Sequence, residues 1–219
     1  NTAVTLPYIP GGLLRGALIG RHLTEHPQED LAADPVAREL FFDFPTCFLN
    51  AYLRADDAAR TLPVPRSWKV QKRRQEPIYD LSVAPELEPD LPGDEVWQPK
   101  SLEDRFCRLQ DDEGTLYRTE TLGNVHTQRD RVMGRATEGS GAVFRYEALA
   151  PDQSFVGAIL CSTSEMADVL TDLLTGGMLF LGGSRHAGYG AVMVEDVESS
   201  DEWQEAPSKI TDLPSGGAV

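Results

Sequence analysis

Residues 179–194, LFLGGSRHAGYGAVMV, restrict the fold more than any other stretch. Four glycines (Gly182, Gly183, Gly188 and Gly190) stand between two apolar segments that read as strands, with Ser184, Arg185, His186 and Tyr189 among them. Glycine takes φ > 0 readily and lets another chain approach where a Cβ would collide. Such a loop serves to hold something against main-chain N–H groups. Arg185, His186 and Tyr189 add a phosphate fork, a titratable ring and a stacking plane, a set that suits a nucleic-acid backbone. The same residues also read as a flexible hairpin loop that holds nothing.

Charge pulls the other way. The 219 residues carry a formal net charge of −15, which counts against a freestanding nucleic-acid binder, because phosphate contacts need cations. The cations are clustered, however. Arg66, Lys69, Lys72, Arg73 and Arg74 form one group, and Arg129, Arg131 and Arg135 a second. An apolar content of 41% with 25% charged residues is that of a globular chain. No apolar run reaches the ~18 residues of a membrane span, and no signal-peptide pattern is present. Cys47, Cys107 and Cys161 are scattered, which fits a reducing cytoplasm better than a disulfide frame. The chain opens on Asn1-Thr2 and closes on a Gly-rich run, so both ends are expected to continue into segments absent here.

Residues 6–10 (LPYIP) read as extended, and Gly11-Gly12 lead into a helix that runs to about His26 before Pro27. Arg15 falls near its N-terminal end, where free N–H groups and the helix dipole favour an anion. The same helix carries His22-Leu23-Thr24-Glu25-His26, which fits the inverted zinc-peptidase pattern, although nothing downstream stands out as a third ligand. The Phe-rich run over 34–53 is expected as a strand pair or a packed loop. In LPVPRSWKVQKRR, Trp68 offers a stacking face beside Lys69 and the cations that follow, as in a single-strand platform, or simply a solvated charged face. Residues 77–99 read as a loop or poorly ordered linker. Residues 125–133 alternate, with Arg129 and Arg131 on one side and His126 on the other. Residues 134–141 form a polar turn, 142–149 a returning strand and 155–161 a buried strand. Ser162 and Glu165 fit a capping box for a helix to Thr175, whose stripe of Met166, Val169, Leu170, Leu173 and Leu174 faces a core.

With one further strand before Leu6, missing from this chain, the order becomes β-α-β-β-α-β. That is an α+β, ferredoxin-like, RNA-recognition-type fold with an insertion over about 34–120. The domain then spans 1–198, and 199–219 is an acidic, then Gly/Pro-rich tail.

Four stretches carry a family resemblance. PYIPGGLLRGAL (7–18) resembles the entrance to the first helix of the RAMP superfamily, the RNA-binding proteins of CRISPR systems. LGGSRHAGYGAV (181–192) resembles that superfamily's glycine-rich loop, and HTQRDRVMGRATEGSGAVFRYEAL followed by FVGAIL its central hairpin. NAYLRADDAARTLPVPRSWKVQK looks most like subunits of type III-D effector complexes. The resemblance implies a subunit that holds crRNA, at its repeat-derived 5′ tag, beside other effector subunits and with target RNA as a further partner, without a cofactor, a metal or a membrane. The RNA-binding candidates it implies are Arg15, Trp68, Lys69, Arg129, Arg131, Arg135 and the loop residues Gly182, Gly183, Ser184, Arg185, His186, Gly188, Tyr189 and Gly190. The alternative is an endoribonuclease in which His126, His186 and Tyr189 supply the acid and base and Arg185 stabilises the phosphorane.

Overall fold

The structure is a computed structural model that describes residues 2–27, 30–31, 33–43, 46–103, 106–110, 113–127, 143–183 and 185–201. Residues 2–51 together with 120–201 form one compact unit, and Tyr52–Thr119 form another. The fold is α+β.

In the first unit, helix α1 spans Gly11–Glu25 and starts directly after Pro10. Pro10 offers no side-chain cap, so the Gly11 N–H donates instead to Asn50 Oδ1 at 3.1 Å. A Cβ on Gly11 would lie 2.0 Å from the Phe48 carbonyl oxygen. This glycine is therefore required by packing, whereas Gly12 meets open space. Helix α2, Pro35–Phe41, corrects the expectation of a strand pair or packed loop for the first part of the run over 34–53, whose later part holds the short strands Cys47–Phe48 and Tyr52–Leu53. Asp34 accepts from the Val36 N–H and Pro35 occupies the first turn, a strong helix start. Phe41 enters the core while Phe42 is exposed. Helix α3, Ser164–Thr175, is capped by Thr163, whose side chain accepts from the Met166 N–H at 3.3 Å. The cap thus falls one residue after the expected Ser162, and with Met166 as the third helical residue the expected Ser162–Glu165 capping box does not form. The Ser162 hydroxyl donates to Met166 Sδ instead, at 3.5 Å.

The three helices share one core of Leu18, Ala37, Leu40, Phe41, Met166, Leu170, Leu173 and Leu179. Val169, expected in the stripe, is exposed. The segment expected as one buried strand over 155–161 is two short strands, Phe155–Val156 and Ile159–Leu160, of intermediate exposure. They are separated at Gly157, whose missing Cβ makes room for Ala51. Ile159–Leu160 pairs antiparallel with Cys47–Phe48.

The strand expected to be missing before Leu6 is present as Thr2–Ala3. It pairs in parallel with Val143–Leu149, which pairs antiparallel with Thr121–Thr127 along its whole length. First strand beside third, third beside second, is the order of a ferredoxin-like βαββ core. Met178–Phe180 pairs with Ala191–Met193 across the glycine loop.

Among the described residues, the second unit holds two three-stranded sheets. In one, Trp68–Gln71 lies between Tyr79–Asp80 and Pro99–Ser101. In the other, Phe106–Gln110 lies between Leu62–Pro63 and Glu113–Tyr117. Trp68, Val70, Ile78 and Cys107 form its core. Residues 77–99 have little regular secondary structure but are not a loose linker. Ile78 is buried, Trp97 meets the Tyr79 ring at 5.2 Å, and Gln71 hydrogen-bonds both Val96 and Gln98. Among the described residues, no helix is long and apolar enough to cross a membrane.

Candidate nucleic-acid interface

The glycine loop is closed at its base by a hydrogen bond from the Leu181 N–H to the Gly190 carbonyl, at 2.8 Å. Gly182, Gly188 and Gly190 take φ of 91°, 83° and 78°, values that side chains with a Cβ rarely adopt. Gly190 also lies so close to Leu181 that a Cβ would come within 2.1 Å of its carbonyl oxygen. Gly182 and Gly183 face open space, which leaves room for a ligand backbone. Between them and Gly188, Arg185–Ala187 make one 3-10 turn. The Arg185 guanidinium lies over the Phe180 ring, 3.9 Å from its centroid. This cation–π contact orients the exposed charge without neutralising it.

Tyr189 ties the loop to the sheet. Its hydroxyl accepts from Asn124 Nδ2 at 2.8 Å, and its ring lies 6.3 Å from that of Tyr146. Asn124 and Tyr146 are register partners on adjacent strands and so project from one face of the sheet. On the opposite face, Arg145 is exposed and lies over Gly123, where a Cβ would approach its guanidinium to 3.1 Å. Sequence reasoning missed Asn124, Tyr146 and Arg145. The signals were a glycine within an alternating strand and an aromatic on its partner.

The remaining candidates divide. Trp68 is 1% exposed and its indole N–H donates to Asp80 Oδ2 at 3.2 Å. Its ring faces are packed in the core, which corrects the expectation that it stacks a base. Lys69 Nζ donates to Ser101 Oγ at 3.0 Å. Arg15 is exposed on α1. Arg129, Arg131 and Arg135, like Ser184, lie outside the described residues; so do the side chains of His126 and His186. His126 is placed by its backbone on the strand Thr121–Thr127, and His186 by its backbone in the 3-10 turn.

In the zinc pattern on α1, His22 is packed in the core while His26 is exposed. His22 is buried edge-on against Phe41 at 5.6 Å, with the His26 ring 4.6 Å away. Among the described residues, no group of three His, Cys, Asp or Glu gathers as a metal site would require.

No family model matches the chain, and no curated protein matches it. Among solved structures, it is similar to a chain of the type III-B Cmr-beta complex seen by cryo-EM in the apo state. The identity is 15%, over 85% of this chain and 83% of that one, with a TM-score of 0.45. It is also similar to a chain of type III-B Cmr-beta bound to cognate target RNA, at 14% identity, the same coverage and a TM-score of 0.45.

Proposed function

We propose that this chain is an RNA-binding subunit of a type III CRISPR effector complex, of RAMP type and most like its III-D form, that holds crRNA at the repeat-derived 5′ tag. The observation that carries this reading is the glycine loop: closed at its base, open over Gly182 and Gly183, and flanked by the exposed Arg185. Main-chain N–H groups and Arg185 hold phosphates there, beside Tyr189, whose hydroxyl is held by Asn124. The role is architectural. A net charge of −15 opposes tight binding by the chain alone, so neighbouring basic subunits share the strand, with target RNA as a further ligand of the assembly.

The test is binding of labelled repeat RNA, a scrambled RNA and the matching DNA, by the chain and by its complex with co-expressed neighbouring subunits. Preference for the repeat, weakened by Arg185→Glu, is expected. Equal binding of all three by the complex would overturn the reading. Product bands that vanish on replacing both His186 and Tyr189 with Ala would assign cleavage instead.

A further inference from the structure

The strand Trp68–Gln71 ends in a tight turn whose form and charge the glycine loop does not explain. The Arg74 N–H donates to the Gln71 carbonyl at 2.9 Å, and Arg73, third of the four residues, has φ of 71°. That is a type II turn, whose third position ordinarily demands glycine or asparagine. An arginine there bears a steric cost that glycine would not.

The turn is also firmly held. Buried Gln71 donates through Nε2 to the Val96 carbonyl at 3.1 Å and accepts the Gln98 N–H at 2.8 Å. The Lys72 N–H donates to the Gln98 carbonyl at 2.9 Å. Arg74 Nη2 contacts both oxygens of Glu95, at 3.0 and 3.1 Å, so its charge is matched. Lys72 and Arg73 are exposed, and their side chains have no ion pair or hydrogen bond among the described residues. Two unmatched cations therefore stand at the tip of a clamped turn, in a chain of strongly acidic balance.

We infer that the Lys72–Arg73 turn is a second RNA contact, one that grips the sugar–phosphate backbone without reading bases. The four residues of the turn are all polar or charged, and phosphate contacts need only cations; Val96, whose carbonyl Gln71 holds, is an exposed apolar residue beside them. The inference rests on the reading of the chain as an RNA binder, but not on the glycine loop.

The experiment measures binding of labelled oligo(U) and oligo(A) by the full chain and by its effector complex across a salt series. The proteins compared are the unaltered chain, Lys72→Ala/Arg73→Ala, Arg73→Gly and Arg185→Glu. The double variant is expected to bind both oligomers more weakly, by roughly fivefold per cation. Its log K against log salt slope should be shallower by about 1.4, at about 0.7 per phosphate contact. Arg73→Gly should weaken binding while leaving the thermal midpoint equal or higher, because it relieves the turn. That pairing excludes misfolding as the cause. Unchanged affinity and slope in the double variant would overturn the inference while leaving the glycine loop reading intact. A loss confined to the turn variants, with Arg185→Glu silent, would support the inference and overturn the loop reading. Unchanged RNA binding with lost assembly of the complex would make the turn a dock for an acidic protein and overturn the inference. Absence of RNA binding by chain and complex alike would overturn both.

Discussion

A methyl group added at Gly190 would press on the Leu181 carbonyl oxygen from 2.1 Å, on a backbone already at φ 78°. At Gly183 the same methyl meets nothing. Gly190→Ala is therefore expected to lower unfolding stability by about 2 kcal/mol, measured by urea denaturation. Gly183→Ala should leave stability unchanged yet weaken RNA binding, if a ligand backbone passes that close. Asp80 gives a pH dependence at the same scale. Burial pushes its carboxyl up, but hydrogen bonds from Ser67, Ser82 and the Trp68 indole outweigh it and hold the group below its ordinary 3.8. A carboxyl depressed in the folded state stabilises above its unfolded pKa, and that contribution is lost as pH falls through the folded value. Tryptophan fluorescence should then show the second unit weakening as pH drops below 3.8, and Asp80→Asn should flatten that limb. The glycines and Arg185 were legible in the sequence because composition alone marks them. Asn124 was not: it lies 65 residues from Tyr189, and nothing local announces the pairing. Trp68 beside Lys69 looked like a platform because sequence shows adjacency and not burial.

At the scale of elements, the last turn of α3 depends on a residue of α1. The Arg21 guanidinium donates to the carbonyls of Leu173 and Leu174 and, at 2.7 Å, of Met178. A cation there matches both the orphan carbonyls and the negative end of the helix dipole. Arg21→Ala is expected to cost about 1–2 kcal/mol and to speed amide exchange at the end of α3. Arg21→Lys should recover little of this, since one ammonium cannot reproduce the fork. Helices α1 and α3 were legible because each is long, periodic and bounded by Pro or Gly. Helix α2 was hidden because seven residues hold too few turns for a period and the phenylalanines after it suggest a strand. Its Asp34-Pro35 start was the overlooked mark.

Across the whole molecule, two cores divide the cysteines. Cys107 belongs to the second unit, where burial pushes its thiol up to about 11. Cys161 packs partly against the first unit's core, and burial raises its thiol too. Cys47 is exposed. A thiol reagent at neutral pH should label Cys47 first and Cys107 only on unfolding, because the thiolate is the reactive form. With denaturant, Cys107 and Cys161 should become reactive at different concentrations, each reporting its own unit. Coincident onset would mean that the chain unfolds as one. The second unit was the least legible part of the fold, since strands of two to five residues leave little room for alternation.

The tie from Asn124 to Tyr189 divides the loop into a root and a tip. The root is Leu181, Tyr189 and Gly190, fixed by one main-chain bond and one side-chain bond to the sheet. Gly182, Gly183 and the 3-10 turn Arg185–Ala187 lie between these anchors. Substitution or lengthening there would alter the reach and grip of the tip while its seat stays in place. On the proposed reading, the loop is a jaw on a fixed mount, and its grip changes when the jaw alone is recut.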